Sequence, residues 1–199
     1  SGPGAIAMYE AALRLLKDGR YGKKLPKIHG SQNLPFAPMC DAWCKRLKDI
    51  DERFQNESAK ELIKEVYAHV LTNRFPHYSI KGGVFDVLNA TNGEFYSISN
   101  DEAKKARKIF KKYEGVSIAP PAAVAVASLI KAVKTEKVNR DDIILLNITG
   151  GQREMIKEPI YKLESFVHME NKGDVDKIYH EVAKWQNKVK KENIKKTVK

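Results

Sequence analysis

The sequence predicts an α/β fold, a partial open twisted sheet with helices on both faces. Three observations carry that expectation. The run Ile143-Ile144-Leu145-Leu146, charged on its amino side and closed by Gly150-Gly151, reads as a short strand buried on both faces. Strand-like and helix-like patterns alternate along the chain before it. Asn147 and Thr149 then occupy the carboxyl end of that strand, the place where open α/β sheets bind ligands, and the following glycines allow close backbone approach.

The elements follow in order. Ser1-Gly2-Pro3-Gly4 opens directly into a helix over residues 5–17, with Ile6, Tyr9, Leu13 and Leu16 on one face. A glycine turn at a helix start leaves backbone N–H groups and the positive helix end facing an anion, so it is a candidate phosphate site. Asp18-Gly19 ends the helix. Lys27 to Met39 reads as a strand leading into a structured loop, with Ser31, Gln32 and Asn33 at its tip. The helix expected over residues 41–50 carries Trp43 and Leu47 as core contacts.

Residues 58–71 show a helical period with Leu62, Val66 and His69 inward, and Ser58 with Glu61 matches a capping box. Residues 72–83 lack an apolar period and carry many polar groups, which marks a long loop of the kind that often bears function. A helix is expected over residues 84–88, a turn at Asn92-Gly93 and a strand over residues 95–98. Ser99 to Glu102 starts a helix that stops at Gly115. Pro120-Pro121 opens a small-residue helix running to Val133. A polar segment and a last helix over residues 175–190 finish the chain, which contains no internal repeat. Residues 1–160 are expected to form one unit and residues 161–199 a polar segment with a lysine-rich helix.

A chain of 199 residues with 42% hydrophobic and 31% charged residues can bury a sizeable core. Cys40 and Cys44 are too few for a disulfide framework and lack the partners of a zinc site. On a helix they face the same side, and reduced thiols in a cytoplasmic protein are expected. No apolar run is long enough to cross a bilayer. The net charge of +11 invites a nucleic-acid reading, but the lysines are spread along the chain and share helical faces with acids. Only Lys188 to Lys199 is concentrated, and such a run is usually a solvated helix end.

Four stretches carry a resemblance: residues 1–10, residues 31–36, residues 114–127 and residues 144–151. Together, and in this order, they resemble the C-terminal half of threonine synthase-like enzymes, pyridoxal-phosphate enzymes of the tryptophan synthase β type. The resemblance implies part of the large domain of a fold type II enzyme, with pyridoxal 5′-phosphate as cofactor. Within this family it is nearest the branch of coenzyme M biosynthesis that replaces the phosphate of O-phospho-L-serine with sulfite, giving L-cysteate. Carried over by residue, Ser1, Gly2 and Gly4 resemble the end of the loop that cradles the cofactor phosphate. Thr149, with Gly150, resembles the hydroxyl residue beside the pyridine nitrogen, a neutral partner that suits β-replacement. Asn33 and Arg74 lie in polar loops of the matching region and are candidate substrate contacts, Arg74 through pairing with an oxyanion.

The family's Schiff-base lysine, substrate-carboxylate loop and small domain all lie in its N-terminal half. The resemblance therefore implies an incomplete part of an enzyme with no catalytic residue of its own, inactive alone, with the missing half as partner. Lys81, beside Gly82-Gly83, is the only lysine in a plausible functional loop, and it does not follow the family's motif. Threonine synthase, which acts on O-phosphohomoserine, is the rival reading. A non-catalytic half that binds another chain is a second class of function, and a truncated sheet raises the expectation of a homo-oligomer. The last 40 residues match nothing in the family.

Overall fold

The computed structural model describes residues 2–150, 176–184 and 187. Its contacts divide the chain into two units, Ser1–Arg153 and Glu154–Lys199. In the second unit, residues 176–184 and 187 are helical, within the helix expected over residues 175–190.

The first unit is α/β. Two parallel strands, β1 (His29–Asn33) and β2 (Glu94–Ile98), pair in register from His29 opposite Glu94 to Asn33 opposite Ile98. Helices α1 (Pro3–Asp18), α2 (Pro38–Cys44), α3 (Ala59–Lys64) and α4 (Val84–Ala90) lie between or before the strands, and α5 (Asn100–Glu114) and α6 (Pro120–Lys134) follow them. Successive side chains of a strand point to opposite faces. Phe95 accordingly joins a core with Phe36, Trp43, Tyr78, Val84 and Leu88, while Tyr96 and Ile98 join a second core with Ala103, Ala106, Ala123 and Val124. Aromatic side chains from α2 and α4 thus fill one face, and small side chains let α5 and α6 pack closely on the other.

Local chemistry explains where these helices start. Ser99 caps α5: its hydroxyl accepts from the Glu102 N–H at 3.2 Å, and the Glu102 carboxylate accepts from the Ser99 N–H at 2.8 Å. That hydrogen bond also holds the Glu102 carboxyl below its ordinary range. Pro120 and Pro121 open α6 as expected, and Gly115 ends α5 in a left-handed conformation.

Three expectations are corrected. The helix expected over residues 41–50 runs from Pro38 to Cys44, because the Gln32 side-chain oxygen Oε1 accepts from the N–H groups of Met39 (2.8 Å) and Cys40 (3.1 Å) and sets an earlier start. Trp43 is buried, but Leu47 is exposed beyond the helix end. The helix expected over residues 58–71 is the short α3, without a Ser58 capping box. Ser58 donates to Asn56 Oδ1 instead, and Asn56 accepts from the Ala59 N–H. His69 falls in a separate exposed 3₁₀ turn, not on an inward face.

The third correction is the largest. Residues 143–148 form no strand. Ile143 and Leu145 are fully or nearly fully exposed, and only Leu146 and Ile148 touch the α5–α6 core. An apolar run becomes a strand only where a neighbour supplies ladder hydrogen bonds, and none of the described residues does so here.

Candidate functional site

The amino end of α1 is open. Gly2 caps the helix in a left-handed conformation (φ 97°), and its carbonyl accepts from the N–H groups of Ala5 (3.0 Å) and Ile6 (3.2 Å). Glycine is needed there twice over, for that φ and because an added Cβ would collide with Val84 Cγ2. Pro3 has no N–H to offer, and Gly4 has no intrahelical acceptor for its own. Among the described residues, no atom apart from its chain neighbours and its own helix backbone lies within 4 Å of where a Gly4 Cβ would stand. Those residues leave the Gly4 backbone open to an anion at the positive end of a 16-residue helix. Ser1 lies outside the described residues.

The amino end of α4 shows the contrast. The 77–83 loop folds back over it, so the carbonyls of His77 and Tyr78 accept from Val84 (2.9 Å) and Phe85 (3.3 Å). An added Cβ on Gly83 would meet the Tyr78 carbonyl oxygen at 2.6 Å. The polar loop that includes Lys81 is thus spent closing a helix end: Gly83 serves packing there, and Gly82 a left-handed turn (φ 72°).

Thr149 and Gly150 lie at the amino end of α6, where the Gly150 carbonyl accepts from the Ala119 N–H at 3.2 Å. Leu146 and Ile148 anchor this segment on the α5–α6 core, while Thr149 itself is exposed. The two parts of the expected cofactor site rest on different cores: Ile6 and Tyr9 of α1 pack on the aromatic one, and Ile148 on the alanine-rich one.

Asn33 is buried at the end of β1 and fully engaged. Its Oδ1 accepts from the Ala68 N–H at 2.9 Å, and its Nδ2 donates to the Ile98 carbonyl at 2.8 Å and to Asn100 Oδ1 at 3.1 Å. Asn100 in turn accepts from the Tyr67 N–H and donates to the Glu65 carbonyl. This pair of amides ties both strand ends, the start of α5 and the 65–68 turn together. In this arrangement the amide N–H groups of Asn33 are already used. Arg74 donates at 3.4 Å to the carbonyls of Gln55 and Asn56 and pairs with Glu57, an exposed arrangement that holds the 55–57 turn.

A further feature lies beside the carboxyl ends of the strands. A pocket of about 380 Å³ is lined by Leu34, Pro35 and Ser97 together with Cys40, Cys44 and Arg53. The two sulfurs are 3.9 Å apart, as their shared helical face implies. Burial and the neighbouring thiol push the Cys40 thiol up to about 12, so it is a neutral, weak nucleophile. The spacing of the cysteines was the available signal; Arg53, brought in by its bond to Asp41 at 2.8 Å, gave none.

No protein-family model matches the chain. Curated proteins do. The chain is 47% identical over 173 residues to cysteate synthase of Methanosarcina acetivorans, covering 86% of this chain and 42% of that protein. It is 49% identical over 158 residues to the Methanosarcina mazei cysteate synthase, covering 79% of this chain and 38% of that protein. The match lies in the C-terminal part of the longer proteins. The chain is thus similar to cysteate synthases over most of its own length.

The chain spans less than half the length of the cysteate synthases it matches. The cysteate synthase of Methanoregula boonei is 46% identical over 187 residues, 93% of this chain. That share leaves too few residues outside the match to contain the last 40, so, against expectation, the resemblance extends into the tail. Among the described residues, no helix is long and apolar enough to cross a membrane.

Proposed function

We propose that this chain is the C-terminal part of the cofactor domain of a pyridoxal-phosphate enzyme of fold type II. The complete protein would replace the phosphate of O-phospho-L-serine with sulfite to give L-cysteate. The observation that carries the reading is identity of 46–49% to cysteate synthases over most of the chain.

The residues present suit such a cofactor. Gly2 and Gly4 would hold its phosphate at the open end of α1, where the space beside Gly4 admits an anion and the helix end favours its charge. Thr149 would meet the pyridine nitrogen with a neutral hydroxyl, orienting the ring without placing a full charge beside it. Gly150, tied to Ala119, would keep Thr149 in place. When bound, pyridoxal phosphate supplies the electron sink for breaking the bond to the departing phosphate. The lysine that attaches it is assigned to the remainder of the enzyme, because no lysine of this chain sits in the family's motif.

Asn33 and Arg74 are proposed at most as supports of the substrate side, since both are engaged within the fold. The partners of this reading are the phosphorylated amino acid, the rest of the polypeptide and a second copy of the enzyme.

The test is phosphate release by the full-length protein carrying this chain. O-phosphoserine should release phosphate in proportion to sulfite and yield cysteate. Turnover of O-phosphohomoserine alone, giving threonine, would replace this reading with its rival.

A further inference from the structure

The pocket beside the strand ends holds the only two cysteines of the sequence. They stand one helical turn apart on α2, with sulfurs 3.9 Å from each other. Cys40 is buried, and its sulfur also lies 3.6 Å from the Phe95 carbonyl; Cys44 is exposed at the pocket mouth.

Beyond the thiol–thiol hydrogen bond the pair makes as free cysteines, two further states are open to it: a bond to each other, or a shared third atom. A disulfide needs its Cβ atoms about 3.5–4.5 Å apart. Side chains four apart on a helix keep their Cβ atoms about 5–6 Å apart. A disulfide would therefore require α2 to unwind, against the Gln32 amide that caps it and the burial of Met39, Ala42 and Trp43 along it. Two sulfurs held near van der Waals distance without that movement suit an atom placed between them.

We propose that Cys40 and Cys44 form a two-sulfur site for a soft, thiophilic monovalent ion of the Cu(I) type. Thiolate ligands select such ions over hard ones. The described residues offer no cluster of three or more His, Cys, Asp or Glu that could hold a metal, which argues against ions that demand four ligands, such as zinc. Binding replaces two S–H protons with one metal ion and releases those protons to solvent; no electron is transferred. The pocket walls suit the ion as well. Leu34, Pro35, Phe54 and Leu62 line the pocket with apolar side chains, and exposed Cys44 leaves a path inward. At the rim, Asp41 is already paired with Lys45 and Arg53, each at 2.8 Å, so it does not act as a hard competing ligand.

The site is independent of the cofactor reading, and its test has its own readout. Cu(I), supplied anaerobically with a competing chromogenic chelator, is titrated into the full chain, and bound copper is counted while thiolate-to-copper absorption is followed. One ion per chain is expected, with the absorption band saturating at that ratio. Cys44→Ser changes an exposed side chain and leaves the fold intact; it should weaken binding at least tenfold and remove the band. Cys40→Ala should do the same, and far-ultraviolet circular dichroism checks that it folds. Wild-type uptake no greater than that of Cys44→Ser would overturn the proposal. So would a bound ion that survives Cys44→Ser with its absorption unchanged.

Discussion

Two segments of this chain invert what their compositions suggest. His29-Gly30-Ser31-Gln32-Asn33 is polar throughout and is a strand. Ile143 to Ile148 is the most strand-like run in the sequence and is not one. The difference lies in partners. Each residue of β1 faces a residue of β2, its Gln32 oxygen caps α2, and its Asn33 amide closes the strand ends. The apolar run has two anchors, Leu146 and Ile148, and no neighbouring strand among the described residues. β-propensity describes how well a side chain fits a pleated, half-buried surface, and it acts only where such a surface exists.

The contrast can be broken at its strongest point. Asn33→Ala strands the buried Ala68 N–H, at about 1–3 kcal/mol, and removes one of the two donors to the Ile98 carbonyl, which keeps the Leu34 N–H at 2.8 Å. A loss of about 2 kcal/mol in urea unfolding is expected. A loss below about 1 kcal/mol would mean that the amide knot does not hold the strand ends. Next in size is Ser99→Ala, which removes the cap just beyond β2 and should cost about 1 kcal/mol. A helix α5 of undiminished stability would show that packing on α6 alone sets its start.

At the other end of β1, burial lowers the pKa of His29, whose Nδ1 lies 3.0 Å from the Tyr96 hydroxyl. The unfolded chain then takes up a proton more readily than the folded one. The stabilising contribution is complete above about pH 6.5 and is lost as pH falls toward the depressed folded value. His29→Gln should flatten the pH dependence of stability across that range; an unchanged slope would assign it to other groups. The smallest effect belongs to the apolar run. Leu145→Ser should change the stability of this chain by less than about 0.5 kcal/mol, because the side chain is already in solvent. A cost comparable to that of Asn33→Ala would show that the run is buried in solution and would erase the comparison.

These outcomes also mark what was legible in the sequence. Elements defined by local chemistry were: the Ser99–Glu102 start of α5, its stop at Gly115, the proline start of α6 and the strand at residues 95–98. The shared face of Cys40 and Cys44 was legible because it depends on helical period alone; the α/β class holds through the alternation of elements, although the strand expected at residues 143–146 is absent. What was not legible depends on distant partners. The early start of α2 comes from Gln32, the truncation of the 58–71 pattern leaves His69 outside any α-helix, and the fate of residues 143–148 turns on a missing neighbour. At the site, the open end of α1 follows from its glycines and proline, whereas the closing of α4 by the 77–83 loop and the full engagement of Asn33 appear only in three dimensions.

In the proposed function, this chain would contribute the phosphate-binding helix and the ring-nitrogen hydroxyl of a pyridoxal-phosphate enzyme, and the attaching lysine would lie elsewhere in the polypeptide. The most direct measurement is borohydride reduction of the full-length protein with pyridoxal phosphate, followed by peptide mapping. The account predicts one stoichiometric adduct on a lysine outside these 199 residues. A stoichiometric adduct on any lysine within them would contradict it.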